Sequence, residues 1–493
     1  MESVSSSGVG RRAVLMVVLW VGFWLMGLAV VAALLWLPFT EMFVTGGLGL
    51  SGIIAGAGAV TVLWALRPRG WFTRREQSDV APLTREEFPA LFALLDEVAQ
   101  RAKAKVPQKV YLSGEATAYI TVERKWFGLR RTPVVGIGLP LFAFLERAEL
   151  ASVLAYECGH HQGGDLALEP WVYRTRRSIA LAVDALEDSA FFLDVPFQLY
   201  GRFFLRISSA VSQSQELKAD ALAASVCGVQ AASAALRKIY ALAPYWQAYL
   251  EQDLVPLFQA QAGVPMLEGF RRFLSEPRRR VEMEQRIEEE LKRPSSPWDT
   301  HPSLEERLRS MGSAGNASAT IPELLPLSGC VELLGGEREA ESAWVKRSIR
   351  GTLVSFHWEE VAEKVIAPGM QKDWAGSDLD PKHTPLTALP GLLKEGEALW
   401  NRVRPPGIDV LSPEGKRQQV RRMLVGWLGT ALVHRGFMPE VRPGANLRLM
   451  LGDISVEPAS ILRRLSSGEL SEAEYLSACE VLEEEAAAQR AAG

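Results

Sequence analysis

The residues with the clearest capacity for chemistry lie in the segment AYECGHHQGGD, which runs from Ala155 to Asp165. Positions four residues apart share one face of a helix, and in the pattern H-E-x-x-H two such imidazoles bind a zinc ion. The glutamate of that pattern acts as general base on metal-bound water. Glu157 and His160 occupy the glutamate and second-histidine positions, while Tyr156 stands at the first-histidine position. The segment therefore predicts a zinc-type site with one substituted ligand.

The segment QELKAD, from Gln215 to Asp220, supplies a second set of candidate ligands. Glu216 and Asp220 are four residues apart, so one carboxylate can bind a metal while the other orients a ligand. Acidic pairs at this spacing are also common on solvated helix faces. The position of the pair, roughly 55 residues after the first segment, favours a shared site over a surface pair.

The composition limits the classes of function. The chain has 493 residues, of which 48% are hydrophobic, and a formal net charge of -4. This length predicts two or three domains, and the charge gives no general basis for nucleic-acid binding. The four cysteines are far apart and form no C-x-x-C pair, so neither a disulfide framework nor a thiolate zinc site is predicted.

Two apolar stretches near the N-terminus predict a membrane anchor. Ala13–Leu37 and Val44–Leu66 carry no charged residue, and each exceeds the roughly 20 residues that cross a bilayer. Arg11 and Arg12 precede the pair, and four further arginines follow it between residues 67 and 75. The positive-inside rule therefore predicts a multi-pass hairpin in the cell membrane, with the soluble part of the chain on the cytoplasmic side. The alternative is two buried helices of a soluble core.

The region between the anchor and the first segment predicts the elements that position the site. Thr84 and Glu87 match a capping box, which predicts a helix start at Thr84. Residues typical of strands predict Gln108–Leu112, Ala116–Val122 and Thr132–Leu139 as three strands, which the helix of the first segment follows. We predict Ala116–Val122 as an exposed edge strand, the kind of strand that pairs with extended peptides.

Three motifs in order carry a resemblance to a known family. LAYECGHHQGGD, ELKAD and THPSLEERL resemble the membrane-associated gluzincins of metallopeptidase family forty-eight, which includes the CAAX prenyl proteases and the HtpX-type quality-control proteases. The resemblance covers roughly Leu83–Met311 and the N-terminal hairpin. It implies an α+β, mostly α fold, with a two-helix transmembrane hairpin and basic segment at 1–75 and a zincin-like peptidase domain at 76–311. Residues 312–493 form a C-terminal region of unknown role, with a hairpin-like segment at Phe437–Val456 and no catalytic motif.

The resemblance also implies roles for individual residues. By position, Glu157 would be the general base, His160 and Glu216 ligands of one zinc ion (Zn²⁺), and Asp220 the acceptor that orients a ligand. His301, with Arg307 six residues later, matches the family element H-P-x-x-x-x-R. The match implies that both belong to the catalytic site and that the His301 imidazole stabilises the oxyanion of the tetrahedral intermediate.

Tyr156 is the departure from the family pattern. A neutral phenol with an ordinary pKa near 10 is a poor zinc ligand at pH 7, so a bound zinc ion would have to lower that pKa by several units. Tyrosine also reaches further than histidine, so we expect it either to displace the ion or to hydrogen-bond Asp220. His161 is no substitute, because the next residue on a helix points about 100° away.

Three interpretations of the function stay open. In the first, the chain is a membrane-anchored zinc metalloendopeptidase, in which Glu157 activates water for attack on a peptide or protein substrate. In the second, it is a non-catalytic membrane scaffold that binds peptides or partner proteins in the same cleft. A third possibility assigns the function to residues 312–493 and leaves the peptidase-like part as a platform.

Overall fold

The computed structural model of the protein describes residues 6–66, 81–125, 130–162, 175–181, 183–184, 194–296, 299–312, 329–374, 378–403 and 412–492. Over these residues the chain is predominantly helical with few strands, which confirms the predicted α+β, mostly α fold. The chain forms two compact units, the first from Met1–Ala243 and Met283–Ile349 and the second from Pro244–Glu282 and Arg350–Gly493. This division does not coincide with the predicted boundaries at residues 75 and 311.

The first unit begins with two apolar helices, α1 (Ser6–Thr45) and α2 (Leu50–Leu66), which pack against each other. The Glu41 carboxylate accepts hydrogen bonds of 3.0 Å from the amides of Gly49 and Gly52 at the start of α2. A carboxylate at a helix N-terminus satisfies free amides and interacts favourably with the helix dipole. Glu41 therefore stabilises the turn, which explains an acidic residue within an apolar hairpin.

The apolar length of these helices bears on the membrane anchor. Among the described residues, one helix is long and apolar enough to cross a bilayer, over Val17–Thr45. The apolar part of α2, Leu50–Trp64, is shorter than the roughly 20 residues of a typical span. Trp36 and Phe43 are among many large apolar side chains exposed on α1, as expected of a surface that faces lipid. The first predicted span is thus supported and the second only weakly.

A three-stranded sheet follows, made of β1 (Lys109–Ser113), β2 (Ala118–Lys125) and β3 (Arg130–Gly138). The strand order is β1-β3-β2, with β1 parallel and β2 antiparallel to β3. The three predicted strands are confirmed to within a few residues. Because β2 pairs with β3 alone in this sheet, its prediction as an edge strand is also confirmed.

Helices make up most of the first unit. The capping-box hydrogen bonds between Thr84 and Glu87 form at 3.3 Å, but the helix begins at Pro89, so the predicted helix start at Thr84 is wrong. Residues 175–181 are also helical. The helices up to residue 249 are α3 (Pro89–Arg101), α4 (Leu139–Phe144), α5 (Arg147–Gln162), α6 (Val195–Cys227) and α7 (Val229–Tyr249).

Two contacts fix α5 against its neighbours. A Cβ atom at Gly159 would lie only 2.9 Å from the Cα atom of Ala219, so the absence of a side chain lets α5 and α6 approach closely. On another part of α5, the Glu149 carboxylate lies 2.7 Å from the Lys238 ammonium of α7, and both side chains are buried. These contacts set the position of α5, which carries the first segment.

The remaining elements complete the first unit and form the second. The second unit has a core around Trp400, Trp427 and Phe437. The predicted hairpin-like segment is confirmed as the antiparallel strands β6, β7 and β8. The helices are α8 (Val255–Gln259), α9 (Met266–Ser275), α10 (Pro277–Lys292), α11 (Leu304–Ser310), α12 (Glu337–Ser348), α13 (Trp358–Val361), α14 (Ala367–Trp374), α15 (Leu389–Glu395), α16 (Glu397–Val403), α17 (Pro413–Val433), α18 (Pro458–Ser467) and α19 (Glu472–Ala492), and the strands are β4 (Ala262–Gly263), β5 (Val354–Ser355), β6 (Met438–Glu440), β7 (Arg448–Leu451) and β8 (Ile454–Val456).

Candidate active-site cleft

A cavity of about 660 Å³ lies within the first unit, between β2, α5, α6, α7 and the segment that leads into α11. Every residue that the sequence nominated for the site lines this cavity, although the nominations come from segments up to 151 residues apart in the chain. These residues are Tyr156, Glu157, His160, Glu216, Asp220, His301 and Arg307. The glycines and Asp165 that end the first segment lie outside the described residues.

Helix α5 presents three residues to the cavity. The rings of Tyr156 and His160 meet edge to face, with centroids 4.7 Å apart and an interplanar angle of 86°, as expected for positions four apart on one helix face. The Glu157 carboxylate accepts a hydrogen bond of 3.3 Å from the amide of Ile120 on β2. The general-base candidate therefore lies directly against the edge strand.

Glu216 is the centre of the polar cluster. It accepts a short hydrogen bond from the Tyr156 hydroxyl through Oε2, and its Oε1 atom lies 3.0 Å from Nδ1 of His301 and 3.6 Å from Nε2 of His160. Burial alone would raise the pKa of Glu216, but the His301 hydrogen bond, the Arg307 charge and the Tyr156 hydroxyl outweigh it and lower the pKa to about 2. Glu216 is therefore ionised at neutral pH.

Asp220 pairs with Arg307 rather than with Tyr156. The guanidinium donates two hydrogen bonds to Asp220, from Nε at 2.8 Å and from Nη2 at 2.7 Å, and Nη2 also lies 3.6 Å from Oε2 of Glu216. All three side chains are buried. Burial raises the pKa of Asp220 although the Arg307 charge opposes this shift. The expectation that Tyr156 bonds Asp220 is wrong, because the Tyr156 hydroxyl donates to Glu216 and Asp220 accepts from Arg307.

The loop that carries His301 is held in place by polar contacts. The side-chain amide of Gln213 on α6 donates hydrogen bonds of 2.9 Å to the carbonyls of Ser296 and Asp299. Ser303 caps α11, with its hydroxyl accepting from the amide of Glu306 at 3.3 Å. The His301 side chain is 58% exposed, so a molecule in the cavity can reach it.

Tyr156 decides whether this set of side chains fits a catalytic zinc ion. Burial, together with the negative charges of Glu216 and Glu157, holds the pKa of Tyr156 well above 10 against the opposing Arg307 charge. The phenol is therefore neutral, and its proton is directed at Glu216. Of the residues nominated as zinc ligands, His160 and Glu216 remain as ordinary ligands, whereas a catalytic zinc ion takes three from the protein.

Arg307 supplies a fixed positive charge beside the candidate ligands. Its guanidinium carbon lies 5.0 Å from the centre of the Tyr156 ring, and Nη2 lies 3.6 Å from Glu216 and 2.7 Å from Asp220. Over the described part of the chain, no group of three or more His, Cys, Asp or Glu side chains is arranged to hold a metal ion. These side chains do not fit the zinc centre that the family resemblance implies.

Arg176 is a cavity residue that the sequence motifs did not nominate. It lies in the helical stretch 175–181, and its Nη2 atom donates a hydrogen bond of 2.9 Å to the hydroxyl of Ser208 on α6. A single arginine between two motifs carries no periodic or spacing signal. Its position in the wall of the cavity depends on the packing of the 175–181 stretch against α6.

Comparison with known proteins agrees with the geometry. Residues 86–314 match the family model of Peptidase family M48, and these limits agree closely with the predicted range of Leu83–Met311. No curated protein and no solved structure matches the chain. The matched residues contain β1, β2, β3, α5, α6 and every nominated site residue. Residues 86–314 of this chain therefore belong to metallopeptidase family M48.

Proposed function

We propose that this membrane-associated, metallopeptidase-like protein binds extended peptide or protein segments in its cleft without zinc-dependent hydrolysis. The hydrogen bond from Tyr156 to Glu216 carries the proposal. It joins the first-ligand position to the carboxylate that would bind zinc, and the hydroxyl keeps its proton there because the pKa of Tyr156 is raised well above 10, chiefly by burial. The side chains of this cluster, Tyr156, Glu216, Asp220 and Arg307, thus bond to one another and compensate one another's charges without a metal ion.

The edge strand supports peptide binding. β2 pairs with β3, and its residues Ala118–Ile120, together with Ala116 and Thr117 just before it, line the cavity. The amide of Ile120 donates to Glu157, which also lines the cavity, so this edge of the strand faces the space where a peptide would lie. An extended peptide adds to such an edge through main-chain hydrogen bonds, which give affinity without regard to side chains.

The membrane location follows from α1. The apolar stretch Val17–Thr45 is long enough to anchor the protein in a bilayer, and α6 packs against α1 through the Phe23 and Phe197 rings, whose centroids are 6.1 Å apart. The two-span hairpin with the cleft on the cytoplasmic side is part of this proposal and rests on the arginine flanks. Protease digestion of sealed inside-out vesicles tests it, since only a cytoplasmic cleft domain is degraded without detergent.

Peptide hydrolysis is the second candidate. The specific observation in its favour is that Glu157 and His160 line one cavity with Glu216, and that Glu157 lies beside the strand where a peptide would add. A glutamate in this place is the general base of the family. The two candidates differ in whether zinc is held, so they are separable by experiment.

The test measures zinc content, casein cleavage and peptide binding on the full-length protein in detergent. We expect less than one zinc ion per chain by elemental analysis, casein cleavage at background, no further change in the Glu157→Gln variant, and binding of fluorescent extended peptides. One zinc ion per chain together with cleavage that Glu157→Gln abolishes would establish the second candidate. Absence of peptide binding with background cleavage would exclude both.

A further inference from the structure

The cavity has a second polar end, at Arg176. Nη2 and Nε of Arg176 lie 2.9 and 3.3 Å from the Ser208 hydroxyl, and Nη2 lies 3.5 Å from the Ser209 hydroxyl. Among the described residues these hydroxyls are the only hydrogen-bond partners of the guanidinium, and no carboxylate pairs with it. The two serines hold the guanidinium in one orientation, and no described residue bonds Nη1.

Arg176 differs in this respect from the other arginine of the cavity. Arg307 is compensated by Asp220 at 2.7 Å and by Glu216 at 3.6 Å. Arg176 is about half buried in the cavity wall, and burial lowers its pKa because water no longer solvates the cation fully. A partly buried guanidinium without a counter-ion is unfavourable, and an anion from a bound ligand would remove that cost.

The distance between the two ends suits an extended peptide. Ser208 and Glu216 are eight residues apart on α6, which corresponds to about 12 Å at the rise of an α-helix. An extended peptide covers that distance with three or four residues, at about 3.3 Å each. This spacing allows one peptide to reach Arg176 with one group while another of its segments lies beside Glu157 and β2.

The wall between the two ends is largely apolar. Ala232, Ala235, Leu236 and Ile239 of α7 line the cavity and follow the spacing of one helix face. Such a surface favours a ligand with apolar side chains along its length. The negatively charged group of such a ligand would then lie at the Arg176 end of the cavity.

We infer that Arg176, oriented by Ser208 and Ser209, is a carboxylate-binding subsite that determines which peptides the cleft accepts. This inference rests on the proposed peptide-binding function. The carboxylate comes either from the C-terminus of an apolar peptide or from an acidic side chain within it, since both present the same planar anion to the guanidinium. A peptide is favoured over a phospholipid headgroup because Arg176 lines the same cavity as Glu157 and the edge strand.

The experiment compares three fluorescent peptides of one apolar sequence on the full-length protein in detergent. The first has a free C-terminal carboxylate, the second is amidated, and the third is amidated and carries one internal glutamate. By fluorescence anisotropy, one or both carboxylate peptides should bind about 10- to 100-fold more tightly than the neutral amide, since a charge-assisted hydrogen bond has that strength. Which of the two gains affinity identifies the source of the carboxylate.

Variants assign the preference to one residue. Arg176→Met should remove the difference in affinity between the carboxylate peptides and the neutral amide, whereas Arg176→Lys should keep part of this difference. Arg177→Met is the matched control, because it removes the same charge from the exposed neighbouring position and should keep the full preference.

Each other outcome has a definite meaning. Equal binding of the three peptides, or a preference that survives Arg176→Met, overturns the subsite and leaves the peptide-binding function intact. Absence of binding for all three overturns the proposed function itself. Equal peptide binding combined with an Arg176-dependent affinity for vesicles that contain anionic phospholipid overturns the subsite in favour of a lipid headgroup site.

Discussion

Glu216 in the first unit and Asp253 in the second are both buried carboxylates, but their pKa values are shifted in opposite directions. Glu216 has hydrogen bonds from His301 and Tyr156 and the charge of Arg307, which overcome the effect of burial and lower its pKa to about 2. Asp253 accepts one backbone hydrogen bond of 3.3 Å from Gly444, and burial raises its pKa to about 6. Within the described chain, no donor reaches its Oδ2 atom.

The comparison shows that hydrogen-bond donors and a nearby positive charge can outweigh the effect of burial on the pKa of an acid, and that burial prevails where these partners are few. A carboxylate with a lowered pKa contributes stability above its unfolded pKa, near 4.3 for glutamate, and that stability is lost as the pH falls towards the folded value of about 2. A carboxylate with a raised pKa contributes stability below its unfolded pKa, near 3.9 for aspartate, and that stability is lost as the pH rises through the folded value of about 6.

Arg307→Leu should have the largest effect, because it removes the positive charge that both Glu216 and Asp220 contact. Removal of one partner from a buried charge cluster costs about 3–5 kcal/mol, and here it leaves both Glu216 and Asp220 without the guanidinium. Urea denaturation followed by circular dichroism at pH 7 measures the loss. Arg309→Leu on the same helix is the control and should cost little, since Arg309 pairs with Glu305 at the surface. An equal loss in both variants would contradict the central role of Arg307.

Asp253→Asn should remove the loss of unfolding free energy with rising pH that Asp253 causes in the second unit. The wild-type protein should lose roughly 3 kcal/mol of unfolding free energy between pH 4 and pH 7 through this group, since one pKa unit corresponds to about 1.4 kcal/mol. The variant should lack this loss, and the exposed control Asp453→Asn should retain it. Denaturation curves at pH 4, 5, 6 and 7 make the measurement. Identical pH profiles for the wild type and Asp253→Asn would contradict the assignment of this pH dependence to Asp253.

Tyr156→His tests whether Tyr156 alone prevents the polar cluster of the first unit from binding zinc. A histidine restores the missing imidazole beside His160 and Glu216, so zinc affinity should rise by more than about 100-fold, because even outer partners of a zinc ligand change affinity by roughly 10–100-fold. Competition against a chelating dye measures the affinity. Tyr119→His adds a histidine on β2 without completing the ligand set and should give no gain. A Tyr156→His variant that binds no more zinc than the parent would show that the site is misplaced.

Tyr156→Phe should give the smallest effect. It removes the hydrogen bond to Glu216 but leaves His301 and Arg307 in contact with that carboxylate, so we expect a loss of about 1–2 kcal/mol at neutral pH. The same denaturation assay serves, and zinc affinity should not change. An increase in zinc affinity in Tyr156→Phe would mean that the Tyr156 hydroxyl excludes the metal, and that the missing imidazole is not the cause.

Much of the site was predictable from sequence because its residues occur in short motifs with helical spacing. The i, i+4 rule alone placed Tyr156 beside His160 and Glu216 beside Asp220, and residues typical of strands predicted the three strands. The edge position of β2 was predicted from the order of these strands before the motif helix. The predicted helix start at Thr84 failed because the capping-box pair forms in a turn before α3, so a local hydrogen-bond pattern did not fix the helix boundary.

By itself, the sequence determined which motif residues to expect in one site, and it identified Tyr156 as the departure from a zinc-binding pattern. Only the tertiary structure decided how those side chains pair. Tyr156 reaches Glu216 instead of Asp220 because Gly159 lets α5 approach α6 closely and Arg307 already occupies Asp220. The position of Arg176 is also a tertiary property. Arg176 belongs to no sequence motif, and it lies in the cavity wall only because the 175–181 stretch packs against α6.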